Sequence, residues 1–497
     1  MAFANIAPSF SALPAHITSA LIFLLFLTTL TCITAVVTIY LDTRYRRGMR
    51  TPWTRLTLFP TLWSSALFII SSFSPIGRLA MWSPVTSLHA YTWLRPVGGP
   101  VAIDWVTAAW SVVLHELLGM WIMGPPKIVT AIEDEHLISV DESISEVQHQ
   151  AQQPQRSKSL LYLSAMLCLL VLPSYSFDGL PLPIISSFTT PISMACALPL
   201  PSTVENENNK PSIDNYILET HRLTPLAKVV LWPEAAVRLQ TPERRAYVIE
   251  QVQNNAQASV VAVSFEDLIP NKMQNGSGPW RHGMMIIDKD GLKAEYYKRV
   301  PVPFVEERST SSKNKPLFFE YELVLRRNSR KVPIDWVDLP ITAGFSLDFA
   351  SNFPFSLSSR PALVLGAAHT WHPNVGIALW EQAKARSEEL GSALLWCDGG
   401  EGGVSGVAAP GVDEILQVGS GSWVRTIGLK LPFEEGRTAY GFFGAWLAIP
   451  FIWGVFGVEW IVERTIVNLK GEYDYDISCF RRKRKSVEAD EEASLLS

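Results

Sequence analysis

Cysteine is scarce in this chain: there are five in 497 residues (Cys32, Cys168, Cys196, Cys397 and Cys479), with no CxxC spacing and no regular pattern. Such usage predicts neither a disulfide framework nor a zinc site. Charge is thin as well, at 18% of residues against about 25% in soluble domains. The shortage is concentrated. Residues 17–41 carry no charged side chain over 25 positions and residues 56–77 none over 22, and 160–177 and 438–458 carry none either. Roughly 20 apolar residues, rising about 1.5 Å each, cross a ~30 Å hydrocarbon core, where only a helix satisfies its own backbone groups. A further stretch, 101–124, is apolar except for Asp104 near its start and His115-Glu116 in its middle. About five spans are expected, the last over 438–462. No basic n-region precedes the first, so it reads as a retained helix rather than a signal peptide.

Net charge of −5 says little about partners, and no nucleic-acid partner is expected. The placement of charge says more. Arg44, Arg46, Arg47, Arg50 and Arg55 follow the first span, and Arg481, Arg482, Lys483, Arg484 and Lys485 follow the last. Basic flanks mark the cytosolic side, and four further spans between the clusters keep them together there. The region from 178 to 437 then faces a lumen, periplasm or exterior, and the tail 464–497 is cytosolic. Residues 124–157 form an acidic, Gln-rich cytosolic connector. Asn275-Gly276-Ser277 is a glycosylation sequon on the non-cytosolic side. Glu133 with Leu137-Ile138, and Glu491 with Leu495-Leu496, have the acidic dileucine form that points to endomembrane or vacuolar sorting. His115-Glu116 reads as an interhelical or interfacial pair ahead of a proton or lipid path.

After residue 178 short apolar runs alternate with helical stretches, and no internal repeat is visible. Residues 192–198, 228–232, 259–264, 284–288, 341–348, 362–367 and 393–396 suit buried strands, while 213–225, 243–257 and 377–391 have helical character. Alternation of this kind predicts an α/β domain over about 190–435.

Three segments there carry chemistry. Leu231-Trp232-Pro233-Glu234 runs a strand straight into a carboxylate, a fitting place for a partly desolvated base. Lys298 is followed by Val302-Pro303-Phe304 and Glu306, which suits an ammonium fixed beside an acid and able to stabilise an oxyanion. Gly344-Phe345-Ser346-Leu347-Asp348 ends a buried strand on a polar residue, where nucleophiles are often displayed. Each has a plainer alternative: a strand-terminal acid, a solvated Lys-Arg pair, and a buried serine bonded to the backbone.

Taken in this order, the segments resemble the carbon–nitrogen hydrolase (nitrilase) superfamily, and its apolipoprotein N-acyltransferase branch more than its soluble members. Trp232-Pro233-Glu234-Ala235-Ala236 matches that branch's WPE motif, and Tyr296, Lys298, Val302-Pro303-Phe304 and Glu306 match its lysine segment. The spans before and after the domain match its layout. The resemblance implies a four-layer αββα nitrilase-like sandwich without metal or cofactor. It also implies acyl transfer from a membrane lipid to an amine or hydroxyl acceptor. Glu234 would be the base, Lys298 the oxyanion stabiliser and Glu306 a supporting acid.

Departures sit at the centre of the motif set. Where the family has its nucleophilic cysteine this chain has Ser346, with Asp348 at the following acid. Serine needs a base where a thiol scarcely does. The family's Asn-Asp-x-Trp segment has become His369-Thr370-Trp371-His372, keeping Trp371, and its next Asn has become Cys397-Asp398 ahead of Gly400. Val305 replaces a glycine, whereas Arg386 and Glu389 keep the family's R-x-x-E helix. Cys397 as a substitute nucleophile is weighed against core packing, and packing is favoured. Two readings follow: an enzyme using Glu234, Lys298 and Ser346, or a catalytically inactive pseudoenzyme whose pocket binds a lipid or protein partner. A transporter is a weaker third.

Overall fold

A computed structural model describes residues 6–7, 9–11, 17–49, 51–74, 76–81, 89–123, 153–176, 181–184, 186, 188–200, 211–256, 259–268, 280–301, 318–325, 335–351, 357–458 and 461. The sequon, the dileucine forms, the second basic cluster and Glu306 lie outside these residues.

Among the described residues, four helices are long and apolar enough to cross a membrane: Ile17–Arg46, Pro52–Phe73, His89–Ile122 and Lys158–Tyr175. Their cores are α1 (Ile17–Arg46), α2 (Pro52–Phe73), α3 (Arg95–Met123) and α4 (Gln153–Leu169). Large apolar side chains such as Ile22, Leu25, Val36 and Trp121 point outward, as a lipid-facing surface requires. Leu56, Val101, Val106, Leu163 and Leu167 pack inward. Tyr91 Oη donates to the Leu167 carbonyl (3.0 Å) and accepts from Trp110 Nε1 (2.8 Å), so each buried polar tip is satisfied. Glu116 lies 4.0 Å from Arg46 at the last residue of α1, near a helix end and beside a cation.

The expected fifth span starts later than its composition suggested. Gly444, at φ 64°, breaks the run into a short α8 (Ala439–Phe443) and α9 (Ala445–Val458). The 14 described residues of α9 rise about 21 Å, short of a ~30 Å core. Ala445, Ala448 and Ile452 pack with α2, α3 and α4.

The region after 188 holds two sheets. The first runs β13-β1-β2-β4-β5-β6, with β3 (Val237–Leu239) paired to β4, and the second runs β12-β11-β10-β9-β8-β7. Strands β1 (Thr189–Cys196), β2 (Val229–Leu231) and β4 (Val260–Leu268) are parallel neighbours, as are β8 (Asp335–Phe345), β9 (Leu363–Ala368) and β10 (Ala393–Asp398). Each trio continues into two antiparallel strands: β5 (Trp280–Asp288) and β6 (Gly291–Tyr297), or β11 (Val404–Ala409) and β12 (Val412–Val418). Antiparallel β13 (Trp423–Lys430) and β7 (Phe318–Leu325) flank the other sides. The two sheets therefore share one plan that leaves no repeat in the sequence. Strands β2, β9 and β10 are buried throughout, which is why they read as unbroken apolar runs. Of the strands that composition did not reveal, β12 and β13 are partly exposed.

One apolar cluster joins the facing sides of both sheets, through residues such as Ile192, Leu231, Ile286, Ile341 and Leu365. A second lies between the first sheet and helices α5 (Ile213–Leu223) and α6 (Pro242–Ala256). A third packs α7 (Pro373–Leu390) on the second sheet and takes in Leu27, Leu67 and Ile76 of the membrane region. The helices begin where side chains cap them: Ser212 accepts from Asn215 N, and His372 from Asn374 N ahead of Pro373.

Polar contacts reinforce the third cluster. Glu389 of α7, fully buried, binds Arg78 (3.1 Å) through Oε1 and Arg386 (2.6 Å) through Oε2. Arg78 Nη2 also donates to Tyr440 Oη (3.1 Å), and Arg95 pairs with Glu388 (2.7 Å). The R-x-x-E pair is thus a docking device between the domain and the membrane helices.

The structure corrects the expectation about cysteine. Cys196 at the end of β1 and Cys397 near the end of β10 form a disulfide that joins the two sheets. Their Cα atoms are 5.5 Å apart although 201 positions separate them in sequence, so spacing held no sign of the pair. Cys397 is therefore neither a free thiol nor a substitute nucleophile.

Candidate active site

Strand ends converge here. Beyond β2, Trp232 N donates to Ala262 O (2.9 Å) and Glu234 N to Ala368 O (3.2 Å) at the end of β9. Gly399 N, beyond β10, donates to the same Ala368 carbonyl (3.1 Å). The chain turns sharply after Glu234. Ala235 has φ 58°, the one non-glycine residue in the left-handed region among the described residues. A strained residue beside a buried carboxylate is a feature of sites whose geometry is held by their surroundings.

Lys298 follows β6, and its backbone N donates to His282 O (2.9 Å) on β5. Its ammonium is buried and donates to Glu234 Oε1 at 2.6 Å. His282 Nδ1 lies 2.9 Å from that same oxygen. Burial alone would raise the Glu234 pKa, but the Lys298 ammonium and the His282 hydrogen bond outweigh it and hold the carboxyl down at about 2. No described residue hydrogen-bonds Glu234 Oε2.

Ser346 opens a 3-10 turn at the end of β8 and is 4% exposed. Its strand was expected to reach Asp348. It stops at Phe345 because the Asp348 side chain folds back to accept Phe345 N (3.1 Å). The same carboxylate accepts from Tyr296 Oη (2.6 Å) and Val300 N (3.1 Å). Asp348 thus fastens the segment on both sides of Lys298 to the turn that begins with Ser346. Burial raises the Asp348 pKa against these donors and the nearby cations, Arg299 and Lys298. Tyr296 is also pushed up, by burial and by the Asp348 charge, and so stays a donor.

Asp398, at the end of β10, is buried and accepts from Thr370 N (2.9 Å), Thr370 Oγ1 (2.8 Å) and Gly400 N (3.1 Å). Burial pushes its pKa up to about 6 despite these donors, and the Glu234 charge adds to the rise. Close packing here requires glycine. A Cβ on Gly400 would lie 1.7 Å from Thr370 O, and one on Gly399 2.7 Å from Pro233. Trp371 is half-buried in the loop after β9.

Of the residues expected from sequence, Glu234 and Lys298 are in direct contact, and Asp348 links Lys298 to the Ser346 turn. Two residues were missed. His282 lies in the polar start of β5, ahead of the apolar run 284–288 that read as the strand; its one trace is Gly283, whose Cβ would meet the Phe265 ring at 2.4 Å. Asp398 was noted only as a changed position.

No family model and no curated protein matches the chain. Its structure is similar to those of nitrilase superfamily members at low identity. Saccharomyces cerevisiae Nit3, a member of branch 10 of that superfamily, is 15% identical over 50% of this chain and 93% of its own, with a TM-score of 0.36. A Cys-to-Ser mutant of the Nesterenkonia AN1 amidase is 17% identical over 48% of this chain and 92% of its own (TM-score 0.32). A glutamine-dependent NAD(+) synthetase from Cytophaga hutchinsonii is 10% identical over 48% of this chain (TM-score 0.33), and the chain spans only 43% of that protein.

Proposed function

We propose that this chain is a membrane-bound protein of the carbon–nitrogen hydrolase type that transfers or hydrolyses acyl groups at a non-cytosolic membrane face, with Ser346 as nucleophile. In this reading the domain is a four-layer αββα sandwich and α9 belongs to a fifth span. The observation that carries it is the buried Lys298–Glu234 contact at 2.6 Å, strapped by Asp348 to the turn bearing Ser346.

The chemistry follows from those positions. Ser346 Oγ attacks the carbonyl carbon of a lipid ester while its proton passes to Glu234. The Lys298 ammonium neutralises the carbonyl oxygen as it becomes an oxyanion. Collapse breaks the ester C–O bond, and the alcohol leaves with the proton from Glu234. An amine or hydroxyl acceptor then gives its proton to Glu234 and attacks the acyl-serine; as the acyl–Oγ bond breaks, Glu234 passes that proton to Ser346 Oγ and both groups are restored. The Cys196–Cys397 disulfide supports a non-cytosolic domain, since such bonds persist in oxidising compartments. The arginines at the end of α1 support the same topology.

One observation favours the pseudoenzyme reading: a carboxylate held at about 2 is a weak base for a serine hydroxyl. Intact-mass analysis after incubation with phospholipid vesicles separates the two. An acyl adduct on the wild type that vanishes in Ser346→Ala is the expected result. An adduct on Ser346→Cys alone would mean a competent site without its nucleophile, and the pseudoenzyme reading would stand.

A further inference from the structure

We infer that His282 is a positioning residue for Glu234: its Nδ1–H and the Lys298 ammonium together occupy Oε1, so that Oε2 is the oxygen presented to the Ser346 hydroxyl. This rests on the acyl-transfer reading of the site.

Three observations carry it. First, both donors meet the same carboxylate oxygen, His282 Nδ1 at 2.9 Å and Lys298 Nζ at 2.6 Å. A carboxylate has two oxygens and about four lone-pair directions. Crowding both donors onto one oxygen fixes the rotation of the group and leaves the other oxygen without a bond to any described residue.

Second, the arrangement is built into the backbone. His282 on β5 accepts Lys298 N through its own carbonyl (2.9 Å), so the two donors move as one unit. Gly283, the next residue, lets β5 lie against the Phe265 ring.

Third, the imidazole is oriented on its far side. Nε2 faces Glu266 Oε1 at 3.8 Å, and Glu266 is itself paired with Arg238. A carboxylate partner at Nδ1 requires that nitrogen to be the donor, which fixes the proton at Nδ1. Among the described residues, the titratable and charged groups facing the imidazole are Glu234, Glu266, Lys298 and, through Glu266, Arg238. His282 is a side chain with a carboxylate on each face and is only 13% exposed. A histidine placed merely to fill the core would not be framed in this way.

The role has a chemical consequence. A serine needs its proton removed along a defined line, and a freely rotating carboxylate would spend part of its time with both oxygens turned to Lys298. Holding Oε1 from two directions removes that loss. Charge-assisted hydrogen bonds of this kind contribute roughly tenfold to a hundredfold in rate when broken.

The test compares three full-length variants in phospholipid vesicles, reading acyl-adduct formation rate against lipid concentration. His282→Asn places an amide N–H where Nδ1–H lies and does not titrate. His282→Gln places its donor near the Nε2 position, and His282→Leu has none. The expected result is that the Leu and Gln variants form adduct about tenfold to a hundredfold more slowly with half-saturating lipid unchanged. The Asn variant is expected to stay near wild type. If the Leu variant does not fold, the Asn–Gln pair alone decides. An Asn variant as slow as Gln, or a Leu variant as fast as wild type, overturns the role of His282 while leaving the enzyme reading intact. A wild type without adduct, alongside an adduct on Ser346→Cys, overturns the enzyme reading first and this role with it.

Discussion

Two of the buried carboxylates that bind cations, Glu389 and Glu234, do so in opposite ways. Glu389, at the junction of α7 with the membrane helices, commits both oxygens, one to Arg78 and one to Arg386. Glu234 commits one oxygen to two donors, Lys298 and His282. The partners differ as well. Arginine keeps its charge in proteins, whereas lysine and histidine can trade protons. A carboxylate saturated by guanidinium groups holds two bodies together. One that keeps an oxygen uncommitted, beside groups that exchange protons, is arranged for chemistry.

The largest expected effect breaks the first of these. Glu389→Leu leaves two guanidinium groups buried without their counter-charge, and a loss of about 3–5 kcal/mol is expected. Thermal unfolding in detergent micelles would show it as a sharp drop in midpoint. A change of under about 1 kcal/mol would mean that docking rests on the apolar cluster instead.

Next comes Glu234→Gln. It removes the charge beside Lys298, but the ammonium can shed its proton, so a smaller loss of about 1–3 kcal/mol is expected. Adduct formation on Ser346 should vanish together with this modest loss. Equal destabilisation by both substitutions would erase the distinction drawn between the two carboxylates.

The smallest effect appears on titration. Asp398 is raised to about 6 in the folded protein and is ordinarily near 3.9, so folding favours its neutral form relative to the unfolded chain. Its contribution is full below about pH 4 and is lost as pH rises through about 6. Glu234 has the opposite sign. Its carboxyl is held at about 2, so its contribution is present above about pH 4.3 and is lost as pH falls toward 2. Stability curves of Asp398→Asn should flatten relative to wild type between pH 4 and 6, and those of Glu234→Gln below pH 4.3. A Glu234→Gln curve that flattens between pH 4 and 6 instead would show that burial, and not the Lys298 and His282 partners, governs Glu234.

Much of this was legible in the sequence because it lay within short segments. Unbroken apolar runs gave β2, β9 and β10, and the turn after Trp232 announced Glu234. Lys298 stood out through its Pro-rich surroundings. What escaped depended on contacts between distant segments. The Cys196–Cys397 bond spans 201 positions, and Arg78 meets Glu389 across 311. His282 escaped because β5 extends four residues ahead of its apolar run, and the partners of the imidazole arrive from other strands. The matching plan of the two sheets escaped as well, because equivalent strands share burial but not residues.

The disulfide also sets a schedule for making the protein. Cys196 is synthesised well before its partner, and at about 5–20 residues per second the wait is roughly 10–40 s. Strand β1 also lacks its outer neighbour until β13 has been made. The first sheet must therefore stay incomplete, with an open thiol at its edge, until nearly the whole domain has left the ribosome. Ribosome-bound chains truncated before residue 397 should be held by chaperones or oxidoreductases, and those extended past residue 430 should not.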